Sequence, residues 1–438
     1  MEIRNPNPHR PIFISYRRSD GKELADRLAS FLRATGIPVW IDTDSLRQGH
    51  IQKKIKEAIR KDTSGAIIIS TEDVRKSEII KKLEVPELLE NLKENPRFLL
   101  AVVNDTLREG PNIRDKSNPS RKLKVDSYSA PDERAEISTD QDNPDQTRLQ
   151  DIQQYGPEDS ELWELAEAFV VERVKSIHEL SEDRDTIKLH IQTRPGSKDP
   201  VPQNVHLDIC LRMDEAINHE ALSLLKDSLS CIRTASNTIN PSRLHITGNA
   251  HLSVAFALGA QLPETFVGQC TVEQNGSSWE GMNPGGGNGG SQPELIEIRN
   301  EPQDTEGDIA IYVDLLDEPS DTAFERFKES SKRIKNYVHI RRKNSGNIPP
   351  DEGVMIAQET MKIVKRYANE NGRKPIHLML RTPFPIAVHM GRLANTYSFV
   401  LYEWIRDHYF PTLFIDTENR AKVVKDVLFE EPLDPELD

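Results

Sequence analysis

Five short stretches of the chain carry residue types that could hold or transform a ligand. Phe13-Ile-Ser-Tyr-Arg-Arg-Ser-Asp20 sets a hydroxyl (Ser15) and two guanidiniums (Arg17, Arg18) at the end of an apolar run. If that run is a first parallel strand, they lie where open α/β sheets bind ligands, beyond the carboxyl ends of the strands. Val39-Trp-Ile-Asp-Thr-Asp-Ser-Leu-Arg-Gln-Gly49 leads from a strand into a polar loop holding Asp42, Asp44, Leu46, Arg47 and Gly49. Ser77-Glu-Ile-Ile-Lys-Lys-Leu-Glu84-Val-Pro-Glu-Leu-Leu89 is an acidic helical segment with carboxylates at Glu78, Glu84 and Glu87. Pro86 predicts a local break there, because the residue before a proline avoids α geometry. Thr247-Gly-Asn249 and Arg381-Thr-Pro383 each sit between an apolar strand and a helix, with Asn249 or Thr382 expected as N-cap and Pro383 at the first helical position. Two such turns would aim backbone N–H groups and helix dipoles at one place, which suits phosphate.

The elements that must position these groups follow from periodicity. Pro11–Tyr16, Ile37–Ile41, Gly65–Ser70 and Phe98–Val103 are apolar on both faces and read as strands. Leu24, Leu28, Phe31 and Leu32 fall on one face of an intervening helix whose cap is Ser19-Asp20. Buried strands separated by helices predict a doubly wound parallel sheet. From Asn104 to about Gly156 the chain turns polar, with one edge strand expected at Lys122–Asp126; Leu162, Leu165, Phe169, Val170 and Val174 then form a closing helix. Ser181–Asp185 is the expected linker. Strands resume at Thr186–Thr193 and Val205–Met213.

An internal echo organises the remainder. Leu244–Gly259 lies over Ile376–Gly391 without a gap, aligning His245 with His377, Ala255 with Ala387 and Gly259 with Gly391. Each copy follows a long helix opening near Asp214 or Asp351. Between them, Pro284–Ser291 contains G-x-G-x-x-G (Gly285, Gly287, Gly290), but no strand leads in and no helix follows, so it reads as a flexible loop. His245 and His377 read as core histidines. Lys332, Arg333, Lys335, Arg341, Arg342 and Lys343 read as a solvated basic face on and beyond one helix, and the acidic tail from Glu430 as disordered.

Composition limits the classes available. With 57 basic and 71 acidic residues the formal charge is -14, which argues against a general DNA-coating protein while leaving room for a locally positive pocket. The three cysteines, Cys210, Cys231 and Cys270, form no CxxC, so neither a disulfide scaffold nor a structural zinc site is expected. No Walker A, HExxH or GxSxG sequence occurs. No signal peptide and no run of about 18 apolar residues is present, so no membrane partner is expected and the expected location is cytoplasmic.

The first three segments, in this order, resemble the boxes of a TIR domain over residues 1–178, with a polar insertion at about 104–156. The resemblance implies a flavodoxin-like parallel sheet and makes Asp42–Gly49 the BB loop, whose Asp44, Leu46, Arg47 and Gly49 would serve assembly. Many TIR domains are NAD+ glycohydrolases; carried over by register, the catalytic carboxylate is Glu84 and the accompanying serine Ser77. This chain has Ile80 where a tryptophan is common. Phe13, Ser15, Arg17, Arg18, Trp40 and Asp42 are the accompanying substrate candidates, although Trp40 also suits the core. Residues 186–438, after a linker at 179–185, resemble a SAVED domain: two Rossmann-like, CARF-like halves (about 186–280 and 292–430, with the Gly-rich loop at 284–291) that sense cyclic oligonucleotides. That makes Thr247, Gly248, Asn249, Arg381 and Thr382 ligand candidates. Together the two resemblances imply a bacterial anti-phage effector of the CBASS type. It would be an NAD+ nucleosidase switched on when cyclic oligoadenylate, most plausibly cyclic tri-adenylate, drives head-to-tail self-assembly into a filament with composite active sites. NAD+ is then substrate, the ring is activator, and no cofactor or metal is expected. The rival is a non-catalytic TIR scaffold that signals by assembly alone.

Overall fold

The computed structural model describes residues 7–41, 56–57, 59–77, 79–105, 152–194, 204–211, 217–280, 293–300, 307–331, 334–344 and 346–430. The BB-loop residues Asp42, Asp44, Leu46, Arg47 and Gly49, together with Glu78, Lys122–Asp126, Asp214, the glycine run and the acidic tail after Glu430, lie outside them. The chain divides into two compact units, Met1–Leu180 and Ser181–Asp438.

In the first unit, strands β1 (Ile12–Ser15), β2 (Val39–Ile41), β3 (Gly65–Ser70), β4 (Leu99–Asn104) and β5 (Gln154–Tyr155) form one sheet in the order β2-β1-β3-β4-β5. Every pairing is parallel, and the strand order is that of flavodoxin-like folds. Among the described residues the strand at the β4 edge is Gln154–Tyr155, a two-residue element whose brevity hides it from periodicity. Side chains alternate across a strand, so the register of Phe13 with Ala66 and of Ser15 with Ile68 puts all four on one face. Helix α1 (Lys22–Ala34) buries Leu24, Leu28 and Leu32. Its Phe31 stacks at 4.3 Å on Trp163 of helix α3 (Asp159–Leu180).

The acidic segment covers the face that carries Phe13. Ile80–Glu84 form a π turn in which the Val85 N–H reaches the Ile80 carbonyl, five residues back, and helix α2 (Val85–Glu94) continues from it. The expected break at Pro86 is therefore absent: Glu84 and Val85 keep helical dihedrals. The proline ring would clash with the carbonyl four residues earlier in an α turn, and a widened turn relieves that clash without ending the helix. Ile80, Leu83 and Leu88 join Phe13, Ile68 and Val102 in the core beneath.

The second unit contains two sheets. The first runs β10-β9-β8-β6-β7, built from β6 (Thr186–Gln192), β7 (Leu207–Cys210), β8 (Arg243–Asn249), β9 (Gln269–Gln274) and β10 (Ser277–Glu280). The second runs β11-β13-β12-β14-β15-β16-β17, with β11 (Leu295–Arg299), β12 (Asp308–Asp314), β13 (Ile334–Arg342), β14 (Ile376–Arg381), β15 (Ser398–Ile405), β16 (His408–Asp416) and β17 (Val424–Val427). The order β7-β6-β8-β9-β10 repeats as β13-β12-β14-β15-β16. In each half four parallel strands end in an antiparallel hairpin. Helices α4 (His219–Ile239) and α5 (Leu252–Gln261) of the first half correspond to α7 (Pro350–Glu370) and α8 (Phe384–Arg392) of the second, which adds α6 (Thr322–Ser330).

The echoed glycines explain how the halves fuse. A Cβ on Gly259 would lie 2.1 Å from the Val388 carbonyl oxygen, and one on Gly391 would lie 2.1 Å from that of Phe256. The gapless alignment pairs Phe256 with Val388 and Gly259 with Gly391, so each contact is the image of the other about a pseudo-twofold axis. Only glycine lets the α5 and α8 backbones approach this closely. Arg392, 1 % exposed, then locks the joint by donating to the carbonyls of Leu262 at 2.7 Å, Val267 and Gly268.

Four local expectations change. Asp20 does not cap α1, whose N-cap is Gly21 without a side-chain bond. Helix α4 begins at His219, where Asn218 accepts the Ala221 N–H at 2.8 Å. Lys335, Arg341 and Arg342 lie on strand β13, not a helix. His245 is half-buried, 3.2 Å from Glu273, because its position on β8 faces outward. His377 is the more enclosed of the two, with its Nδ1 2.8 Å from the Tyr402 hydroxyl. All three cysteines are free thiols.

Candidate functional site

Two places gather the residues that can do chemistry, one in each unit. In the first, Ser15 ends β1 on the face covered by the π turn, and its hydroxyl donates to Glu84 Oε2 at 2.5 Å. Ser15 is 1 % exposed and Glu84 8 %, so one carboxylate oxygen is held in a single orientation near the carboxyl end of the sheet. The π turn is what brings Glu84 there, since an added residue per turn re-aims the side chains that follow.

The neighbouring carboxylate is differently employed. Glu87 is 4 % exposed and takes Lys56 on one oxygen and Arg60 Nε on the other at 2.5 Å. Burial alone would raise its pKa, but the two cationic donors outweigh burial and hold it below the usual carboxylate range. Glu87 is thus a tether between α2 and the preceding helical turn.

Around this pair the remaining candidates separate. Phe13 is 1 % exposed and part of the core, where strand alternation puts it; Trp40 tilts against it at 4.7 Å and is itself partly buried. Ser77 caps the π turn, its Oγ accepting the Ile80 N–H at 3.4 Å. Arg17 Nε donates to Ser19 Oγ at 3.1 Å, and Arg18 is exposed. Asp20 accepts from Thr71 Oγ1 at 2.8 Å and from the Asp73 N–H at 2.9 Å. It pins the loop after β1 to the loop after β3, a role that local pattern did not disclose because its partners are about fifty residues away.

In the second unit, both strand–turn–helix motifs open on one cavity of about 800 Å³. Asn249, Arg381 and Thr382 line it; Thr247 and Gly248 are not among its lining residues. Thr247 instead bonds His190 Nδ1 at 2.9 Å. Gly248 has φ +106°, and a Cβ there would meet the Ile191 carbonyl at 2.1 Å. These two shape the turn that presents Asn249. Neither Asn249 nor Thr382 is the N-cap; those positions fall to His251 and Pro383.

The cavity also exposes groups the motifs did not include: Arg194, His251, Arg326, Glu403 and Trp404. His251 Nδ1 lies 3.0 Å from Thr193 Oγ1; burial, aided by Arg194, lowers its pKa to about 4, so the imidazole is neutral at pH 7. Arg381 Nη1 donates to the buried Asp314 Oδ1 at 2.6 Å and to the Glu318 carbonyl at 2.6 Å. Arg326 approaches Asp407 at 3.7 Å. Glu403 Oε1 accepts the Ser253 N–H at 2.6 Å, and burial raises its pKa against the opposing effects of that bond and of Arg194. Two signals for these groups were present in sequence: a lone carboxylate within the apolar strand β15, and an arginine just past β6, as Arg17 lies just past β1.

Among the described residues no group of His, Cys, Asp and Glu could hold a metal ion, and no helix is long and apolar enough to cross a membrane. Residues 12–137 match the TIR domain family model, and residues 230–415 match that of the SMODS-associated and fused to various effectors sensor domain, SAVED. No match is found among curated proteins. Among solved structures, the Acinetobacter baumannii Cap4 SAVED/CARF-domain containing receptor with the cyclic trinucleotide 3'3'3'-cAAA is 16 % identical, over 91 % of this chain and 98 % of that one, with a TM-score of 0.42. The same receptor with 2'3'3'-cAAA is 15 % identical over 90 % and 97 %, at 0.43. The Moraxella osloensis Cap4 receptor is 13 % identical over 90 % and 97 %, at 0.38. The two family matches, each falling on the unit that carries its fold, identify the chain as a TIR domain followed by a SAVED sensor domain.

Proposed function

We propose that the chain is an NAD+ glycohydrolase effector switched on by a cyclic oligoadenylate. The observation that carries the enzymatic half is the Ser15–Glu84 hydrogen bond. In the reaction the bond from ribose C1′ to the nicotinamide nitrogen breaks and its electron pair leaves with neutral nicotinamide. Water adds to C1′ and gives up a proton. The transition state is oxocarbenium-like, as in glycoside hydrolysis, so one fixed carboxylate can hold the ribose hydroxyls and stabilise the positive charge that develops. No metal is needed for a leaving group that departs neutral. Arg17 and Arg18, just past β1, would meet the diphosphate.

The sensing half is supported by the cavity between the two fused halves. It is lined by both strand–turn–helix motifs and by Arg194, Arg326 and Arg381, a set suited to a ring with several phosphates. The ring would bind there and favour a head-to-tail assembly of copies, in which the BB loop of one copy completes the active site of the next. Heterologous contacts of this kind that do not close give filaments. Such an effector would act in a bacterial cytoplasm, depleting NAD+ as anti-phage defence.

The test incubates full-length protein and NAD+ with a panel of cyclic di-, tri- and tetranucleotides. Cleavage is expected to be stimulated most by cyclic tri-adenylate. Glu84→Gln is expected to lose cleavage by roughly 10³-fold while still binding the ring and assembling. Equal cleavage with and without every ring would overturn the switch, and full activity of Glu84→Gln would leave the scaffold reading in its place.

A further inference from the structure

The two turn–helix motifs on the cavity are related by the pseudo-twofold axis, yet they are electrostatically different. At the N-terminus of α5, the place of an anion is already taken. Glu403, reaching across from β15, is 6 % exposed and accepts the Ser253 N–H at 2.6 Å. An internal carboxylate thus satisfies the donors and the positive dipole end that would otherwise hold a phosphate.

At the N-terminus of α8 no described residue plays this part. Its N-cap, Pro383, makes no side-chain cap bond and its first turn holds no acidic residue. Immediately before it, Thr382 is 6 % exposed and lines the cavity, and its buried Oγ1 has no hydrogen-bond partner among the described residues. Leaving a buried hydroxyl unpaired is costly, and a ligand oxygen supplies the missing partner. The adjoining Arg381, anchored by Asp314 on Nη1, adds a cation on the same side.

Resting on the sensor function proposed above, we infer that the cavity binds its cyclic oligonucleotide asymmetrically. A phosphodiester seats on Thr382 and the α8 N-terminus, while Glu403 stands in for a phosphate at α5 and excludes one from that half. The α5 side is left to the uncharged parts of the ligand. There the neutral His251, the amide of Asn249 and the indole of Trp404, which is 40 % exposed, offer hydrogen bonding and stacking, and the one guanidinium acting on this group, Arg194, is opposed by the Glu403 carboxylate.

The experiment measures cyclic tri-adenylate binding to full-length protein by calorimetry, with thermal unfolding as the folding control. Thr382→Val keeps the side-chain shape and is expected to weaken binding ~10-fold. Glu403→Gln retains an oxygen for the Ser253 N–H but removes the charge that repels phosphate, so binding is expected to tighten ~10-fold. Weaker or unchanged binding in Glu403→Gln, or unchanged binding in Thr382→Val, would overturn the inference and leave the sensor intact. Should either variant fail to fold, wild-type crystals soaked in tungstate, a phosphate mimic, decide the matter. Density at α8 alone supports the inference; density at α5, or at neither helix, overturns it. Failure of the wild type to bind any ring in the calorimetry would instead remove the sensor.

Discussion

Glu84 and Glu87 are three positions apart on one acidic segment, yet they take different partners. Glu87 is neutralised by Lys56 and Arg60, whereas one oxygen of Glu84 is held by the Ser15 hydroxyl, the arrangement on which the proposed hydrolysis rests. Ser15 is then a positioning residue. Removing its hydroxyl in Ser15→Ala is expected to lower kcat roughly tenfold with little change in KM, since orientation acts on the chemical step. In a Glu84→Gln background the same change is expected to have no further effect, because coupled residues are not additive. Steady-state kinetics of the single and double variants check both statements. Glu87→Gln belongs to a different class. It removes the counter-charge of Lys56 and one of the two carboxylates on Arg60, which keeps Glu90 at 2.7 Å, and is expected to lower the unfolding midpoint of the TIR unit, as measured by thermal scanning.

Among the elements, the π turn and the α5–α8 crossing matter most. Pro86 forbids a tight turn at Ile80–Glu84, so Pro86→Ala allows the segment to close into an ordinary α-helix. That would swing Glu84 away from Ser15. The expected outcome is a loss of NAD+ cleavage of ~10-fold or more with no fall in the TIR unfolding midpoint, a combination that a merely destabilising change would not give. At the crossing, Gly259→Ala and Gly391→Ala each push a methyl group into a backbone carbonyl 2.1 Å away. Overpacking of this kind costs about 3 kcal/mol. The pseudo-twofold relation makes the two costs similar, and spreading the halves is expected to abolish ring binding. Unfolding of the two variants, measured side by side, checks the symmetry.

For the molecule as a whole, pH dependence follows from burial, and the proposed switch from differential affinity. His251 and His389 are neutral in the folded chain, with pKa values lowered to about 4 by burial first and then by Arg194 and Arg392 respectively; a bond to Trp279 partly offsets the second shift. Between pH 6.5 and about 4 the unfolded chain takes up protons that the folded one refuses. Stability therefore falls as pH drops through that window, by roughly 3 kcal/mol for each histidine when fully expressed. Burial raises the Glu403 pKa, so that group works in the opposite direction, gaining stability as pH falls. The quantity to read is thus the difference between wild type and His389→Gln, expected to narrow steadily from pH 7 to pH 4 in thermal unfolding. Switching has its own requirement. Suppressing unliganded NAD+ cleavage about 10⁴-fold calls for about 5.5 kcal/mol of differential affinity between the inactive and assembled states, within reach of a ring held by several charged contacts.

Much of this was legible in the amino-acid order because it is local. Apolar runs such as Gly65–Ser70 became strands with the expected limits. One gapless echo anticipated both halves of the sensor and the two turns on its cavity, because strand, turn and helix each leave a short-range pattern. Glu84 was legible only through a family register. The rest depends on groups that meet across long stretches of chain. Ser15 finds Glu84 across 69 positions, Asp20 finds Thr71 across 51, and Glu403 caps α5 across 150. Periodicity carries no information about such meetings. Only packing decided that a proline would widen a turn instead of ending a helix, that paired glycines would mark a helix crossing, and that one of two similar helix N-termini would hold a carboxylate of the chain itself.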